Sequence, residues 1–153
     1  MKPRLAPLRL APLALVTLAV AAASGAMAAP NLVKVGDTGA VSVYVDKESI
    51  RRTGSQARAA VEWRYAKPAS MPDNPAKSYR LERQVQVANC DNRSWAVAEG
   101  TQYADERGLD AVGSYKNDET TLPFTVAPAR TIRDAVVVFV CAAVPTPTAA
   151  KKP

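Results

Sequence analysis

Arg130-Thr-Ile-Arg-Asp-Ala-Val-Val-Val-Phe-Val-Cys-Ala-Ala-Val144 decides how the rest of this chain folds. Its apolar residues fall at Ile132, Ala135, Val136, Phe139, Val140 and Ala143, the i, i+3, i+4, i+7, i+8, i+11 spacing of one helical face. Thr131 and Asp134 stand three apart at the start, so the Thr hydroxyl can accept the Asp134 amide while the Asp carboxylate sits at the positive end of the helix dipole. The run from Val136 to Val140 is also β-branched and aromatic, and such runs favour strands. The stretch from Thr131 to Ala143 is longer than a usual strand and its cap lies at the correct end, so it reads as a helix, with a buried strand as the alternative.

Working outward, the segment carries Cys141, one of only 2 cysteines in the chain. The other, Cys90, closes a segment that reads as a strand, so a bridge between them would tie helix to sheet. Two cysteines in an exported chain with none left over normally pair, and Cys90–Cys141 is the expected disulfide.

Export is read from the first residues. Lys2, Arg4 and Arg9 make a positive region, Leu13 to Ala23 an apolar one of about eleven residues, and Ala26-Met27-Ala28 a small-x-small cleavage site. Residues 1–28 therefore read as a signal peptide cut between Ala28 and Ala29. The apolar run is too short to span a bilayer, and no cysteine near the cut could carry a lipid, so neither a transmembrane segment nor a lipid anchor is expected. Removing three basic and no acidic residues lowers the formal net charge from +6 to +3, a weak basis for binding nucleic acid. At the far end, residues 145–153 alternate proline with small residues and lysine and read as a disordered tail. Residues 29–144 remain, enough for a single domain with one modest core.

Within that domain the chain reads as hairpin-spaced strands. Asn31–Val35 and Ala40–Asp46 flank a Gly/Asp turn, Val41, Val43 and Val45 sharing one face of the second. A connection with room for one helical turn runs to Gly54. Gln56 to Lys67 alternates Ala57, Ala59, Val61, Trp63 and Tyr65 with Gln56, Arg58, Glu62 and Arg64, which is a half-buried strand. Pro68 to Pro75 holds three prolines and reads as an exposed loop. Ser78 to Asn89 alternates Tyr79, Leu81, Val85 and Val87 with Arg80, Glu82, Gln84 and Gln86. Arg83 breaks its apolar face and calls for a partner or a place at the rim. Arg93 to Tyr103 and Ala111 to Lys116 follow, and Phe124-Thr-Val126 leads through Pro128 to the helix. The fold class is α+β: an antiparallel β-sheet with a C-terminal helix packed on one face and tethered by the disulfide.

The chemistry excluded is broad. With 0 histidines, Ser-His-Asp and Cys-His catalysis and the commonest metal ligand are absent. Both cysteines are committed if bridged, and no P-loop or GxGxxG pattern appears. Asp105/Glu106 and Asp118/Glu119 are adjacent acids in polar turns and read as solvated charges rather than a catalytic pair. No catalytic residue, metal or cofactor is expected, and the binding residues are not assigned. Trp63, Tyr65, Tyr79 and Trp95 either display an aromatic binding face or, in the plainer reading, fill the core. Lys77, Arg58, Arg64 and Arg80 either gather as a dock for an acidic partner or are solvated charges interleaved with Glu62 and Glu82.

The spacing Tyr44-x-Asp46-x-x-Ser49-x-x-Arg52-x-Gly54, then Trp63, Cys90 with Arg93, Tyr103 with Gly108 and a Pro-led helix ending in Cys141, resembles the surface-adhesin protein E family of Gram-negative bacteria. The resemblance covers nearly the whole of residues 29–144. It implies an antiparallel sheet whose concave face carries a disulfide-tethered C-terminal helix, adhesion to host matrix and serum proteins, and a homodimer. The chain departs where the family has a Pro-Gly-Ser or Pro-Gly-Thr turn: it has Pro128-Ala129-Arg130-Thr131, so the turn into the helix is expected to differ. The expectation is a non-enzymatic exported protein of the cell envelope, periplasmic or at the surface, that binds a protein partner not yet identified. The alternative is a periplasmic structural or assembly protein with no host contact.

Overall fold

The computed structural model describes residues 30–143. The leader over 1–28, the cut at Ala28/Ala29 and the tail over 145–153 lie outside the described residues. Strands β1 (Leu32–Asp37), β2 (Val41–Asp46), β3 (Arg51–Thr53), β4 (Gln56–Ser70), β5 (Ser78–Asn89), β6 (Ser94–Tyr103), β7 (Ala111–Lys116) and β8 (Thr125–Val126) precede one α-helix, α1 (Ile132–Ala142). They form one antiparallel sheet in the order β1-β2-β4-β5-β6-β7, with β3 against β4 and β8 against β6. The connection after β2 holds one 3-10 turn, Lys47–Ser49, capped by the Asp46 side chain.

The helix starts as its sequence dictates. Thr131 is the N-cap, and its hydroxyl accepts the Asp134 amide at 3.2 Å. Val136 and Val140 of the expected stripe are buried, but so is Val137, which the stripe leaves out. The buried face therefore lies wider than the i, i+4 count, because the helix settles into a sheet surface rather than a single groove. Val136, Val137 and Val140 meet Val43, Val45, Ala57, Ala59, Val61, Trp63 and Ala88 in one core. Cys90 and Cys141 are bonded, with Cα atoms 5.6 Å apart. Arg52 donates to the Cys141 carbonyl at 3.2 Å, and Arg93 pairs with Asp134 at the opposite end.

The turn into the helix, Pro128 to Thr131, has its left-handed residue at Arg130. Arg130 takes φ 64°, with its amide donating to the Asp134 carboxylate at 3.1 Å.

Two expectations are corrected. β4 does not stop before Pro68 but runs to Ser70 through a register shift between Arg64 and Ala69, and Met71 beyond it is buried. A proline without an N–H is accommodated where the ladder is already interrupted. The second concerns β5. Cross-strand partners lie on the same side of a sheet, and Trp63, Val61, Ala59 and Ala57 pair with Glu82, Gln84, Gln86 and Ala88. The polar set of β5 thus faces the helix side, while Val85 and Val87 share the far side with Ala60 and Arg58. There the connection after β7 reaches across, with Glu119 bonded to Arg58 at 2.8 Å and Leu122 near Val87.

Candidate functional site

α1 covers only part of its side of the sheet. Over the covered part, Trp63 and Trp95 lie under the start of the helix, and the Arg133 guanidinium stacks 4.0 Å from the Trp95 ring and 5.6 Å from the Trp63 ring. Both indole Nε1 atoms are buried without an acceptor. Trp63 is buried in the core with Tyr65 and Trp95 half-buried against it, so these three fill the core rather than display a face, while Tyr79 is buried outside that cluster.

Beyond the helix the floor changes character. The row Trp63–Glu82–Gln102–Gly113 runs across β4 to β7, and the next row is Val61–Gln84–Gly100–Tyr115. Gly100 has no side chain where the Tyr115 ring lies; a Cβ there would meet the ring and its hydroxyl. The ring therefore lies flat on β6, and its hydroxyl donates to Glu82 Oε1 at 2.9 Å. Gln84 donates to that hydroxyl at 3.1 Å and Gln86 to Gln84 at 2.6 Å. From the other side Tyr65 donates to Glu82 Oε2 at 3.5 Å, its ring edge-on to Tyr79 at 5.2 Å. Glu82 is only 6 % exposed.

Burial first, then the Glu82 charge, pushes the Tyr65 and Tyr115 hydroxyls well above the ordinary tyrosine range. Burial pushes Tyr79 up as well. All three remain protonated near neutrality. A cleft of about 470 Å³ opens over this floor, walled by Met71, Tyr79 and Tyr115, with Asp73 and Lys77 on the loop at its mouth.

On the far side of the sheet, in the adjacent row Glu62–Arg83–Thr101, stands Glu62, 5 % exposed. It accepts from Arg64 Nε at 2.6 Å and from Arg83 Nε at 3.0 Å. Arg83 thus has its partner. It also lies 5.2 Å from the Tyr103 ring and donates to the Arg107 carbonyl at 3.3 Å.

The remaining sequence candidates scatter. Arg58, Arg64 and Arg80 pair with three different carboxylates, those of Glu119, Glu62 and Glu106, and Lys77 stands apart at the cleft, so no basic dock forms. Glu62 and Glu82, expected as interleaved solvated charges, are buried on opposite sides of the sheet. Asp105 and Asp118 are turn residues. Burial pushes Asp105 up, but amide donors from Asp110, Arg107, Leu109 and Gly108 outweigh it and hold the carboxyl below its ordinary range. The Thr120 amide and hydroxyl do the same for Asp118. Among the described residues no group of His, Cys, Asp and Glu is arranged to hold a metal, and no helix is long and apolar enough to cross a membrane.

Residues 32–142 match the family model described as surface-adhesin protein E. The chain belongs to the surface-adhesin protein E family.

The match takes in the sheet from β1 onward and the whole of α1. Among solved structures, crystal form II of Haemophilus influenzae protein E is similar at 16 % identity and TM-score 0.49, covering 72 % of this chain and 96 % of that one. Protein E from non-typeable Haemophilus influenzae is similar at 18 % identity and TM-score 0.46, covering 73 % and 84 %. No curated protein matches the chain.

Sequence reasoning missed Glu82, Gln102 and Tyr115, which the β5–β6–β7 pairing brings together. The available signal was glycine inside strand patterns, Gly100 and Gly113, which marks a close approach by another group.

Proposed function

We infer that this protein is a non-enzymatic, exported binding protein of the cell envelope that adheres to host matrix or serum proteins. The match to the surface-adhesin protein E family, which spans β1 through α1, carries the reading. The chain has 0 histidines and its 2 cysteines are bonded to each other, so neither an imidazole base nor a thiol nucleophile is present. Residues 1–28 act as a cleaved signal and the mature chain begins at Ala29, with residues 29–144 as its single domain and 145–153 as a tail. The chain works as a homodimer, for which the ladder edges of β1 and β7 are the open strands of the sheet.

Two measurements test this. Labelling of intact cells with a membrane-impermeant reagent should reach the protein, and immobilised matrix and serum proteins should retain it. A protein labelled only after the outer membrane is opened would instead be the periplasmic structural component. An intact mass that includes Met1 to Ala28 would refute the cleavage.

A further inference from the structure

Glu82 is buried as a carboxylate without a cation. Among the described residues no lysine or arginine nitrogen lies within 4.0 Å of it. An ionised carboxylate offers about four acceptor positions, and the Tyr115 and Tyr65 hydroxyls at 2.9 and 3.5 Å fill only part of them. The neighbours on its floor, Gln84, Gln86, Gln102 and the tyrosines, are uncharged. A charge held this way is costly unless it is paired, and Glu62 shows that the same sheet supplies arginines to another buried carboxylate.

The cleft above Glu82 has the matching form. Its volume of about 470 Å³ falls within the range of small-molecule pockets. Gly113 lets Met71 fold over the sheet beside Gln102, since a Cβ at that position would collide with the methionine methyl. Met71, Tyr79 and Tyr115 give walls of thioether and aromatic ring, surfaces that suit an alkyl chain and attract a cation. Asp73 adds a second negative group at the mouth, and Lys77 there is more than 4.0 Å from Glu82.

We propose that this cleft binds a primary ammonium group on an alkyl chain, with Glu82 taking the charge, Gln102 accepting a further hydrogen bond and Tyr79 and Tyr115 flanking the chain. The source of such a group is a lysine side chain of a protein or a free aliphatic amine. The assignment goes beyond adhesion, and its outcome leaves retention on matrix or serum proteins untouched.

The test is a ¹H–¹⁵N NMR titration of the exported protein with Nα-acetyl-lysine amide, n-butylamine and, as the neutral comparison, Nα,Nε-diacetyl-lysine amide. Both amines should shift the Met71, Gln102, Gly113 and Tyr115 amides saturably, with Kd on the order of 1 mM as expected for so small a ligand. The diacetyl compound should bind about tenfold more weakly or worse, and Glu82→Gln should weaken the amines by about the same factor. Equal binding of both amines would make the free amine the ligand; preference for the lysine amide would point to a protein chain, and either result sustains the site. Charged and neutral probes titrating alike, shifts confined to other residues, or a folded Glu82→Gln protein that binds as wild type would overturn it. The comparison of charged and neutral probes needs no variant, so misfolding of Glu82→Gln would not leave the matter open.

Discussion

Glu62 and Glu82 stand one residue row apart on neighbouring strands, both nearly excluded from solvent, yet the chain treats them in opposite ways. On the far side of the sheet Glu62 is clamped by Arg64 and Arg83. On the helix side Glu82 meets only tyrosine hydroxyls and opens into a cleft. The difference separates two kinds of buried charge. One is satisfied inside the chain and ties β4 to β5; the other is held by uncharged donors, with no counter-ion among the described residues. The arginines over Glu62 are 42 % and 47 % exposed, so its pairing is screened and worth less than a fully buried bridge.

The bluntest way to break the contrast is to free the helix from the side that holds Glu82. Reducing Cys90–Cys141, which closes a separation of 51 residues, should cost about 4 kcal/mol by the chain-entropy estimate, against about 5 to 15 kcal/mol for a whole domain. Thermal melts with and without reductant should show a large drop in Tm, with Val136, Val137 and Val140 becoming exposed. An unchanged Tm would mean that α1 is held by packing alone.

A sharper probe is alkali. The protein holds the Tyr65 and Tyr115 hydroxyls protonated above their ordinary range, chiefly by burial and then by the Glu82 charge. The folded state therefore binds protons that the unfolded state releases near pH 10, so this stability is complete below about pH 10 and is lost as pH rises further. Spectrophotometric titration should find Tyr65 and Tyr115 ionising late, together with unfolding. In Glu82→Gln both should titrate earlier while remaining above the ordinary range, and Glu62→Gln should leave them unmoved.

The smallest effect is expected at Arg130, whose φ of 64° leads into the helix cap. Glycine would relieve about 1 to 2 kcal/mol of left-handed strain and lose about 0.5 to 1 kcal/mol to unfolded-state entropy. Arg130→Gly should therefore stabilise by about 1 kcal/mol or less, measured by urea denaturation, without moving the Glu82 tyrosines. A loss of stability would show that the arginine side chain contributes more than its backbone strain removes.

Much of this architecture could be read from the residues. The Thr131–Asp134 cap, the helical spacing, the alternation of β4 and the Cys90–Cys141 pairing are local or compositional signals, and each reappears in the fold. The placement of Glu82 could not be read. Alternation along β5 separates its residues into two sets, but only the register against β4 decides which set faces the helix, and one step of slip would exchange them. For the same reason Arg83 could be seen to need a partner, while Glu62 could be named only once β4 and β5 were aligned. Tyr115 reaches Glu82 across two strand pairings, a contact visible beforehand only as glycine at 100 where a strand would ordinarily carry a side chain.

One paired measurement tests the contrast between the carboxylates most directly: melting temperature and Nα-acetyl-lysine amide affinity of Glu62→Gln and Glu82→Gln, side by side. Glu62→Gln should lose about 1 to 2 kcal/mol because two arginines are left without their carboxylate, and should keep its affinity for the amide within about twofold. Glu82→Gln should stay within about 1 kcal/mol of wild type, since the amide still accepts from Tyr115 and an unpaired charge is removed, and should bind the amine about tenfold more weakly. If both variants fall equally in stability and neither changes binding, the two carboxylates do the same structural work and the contrast is wrong.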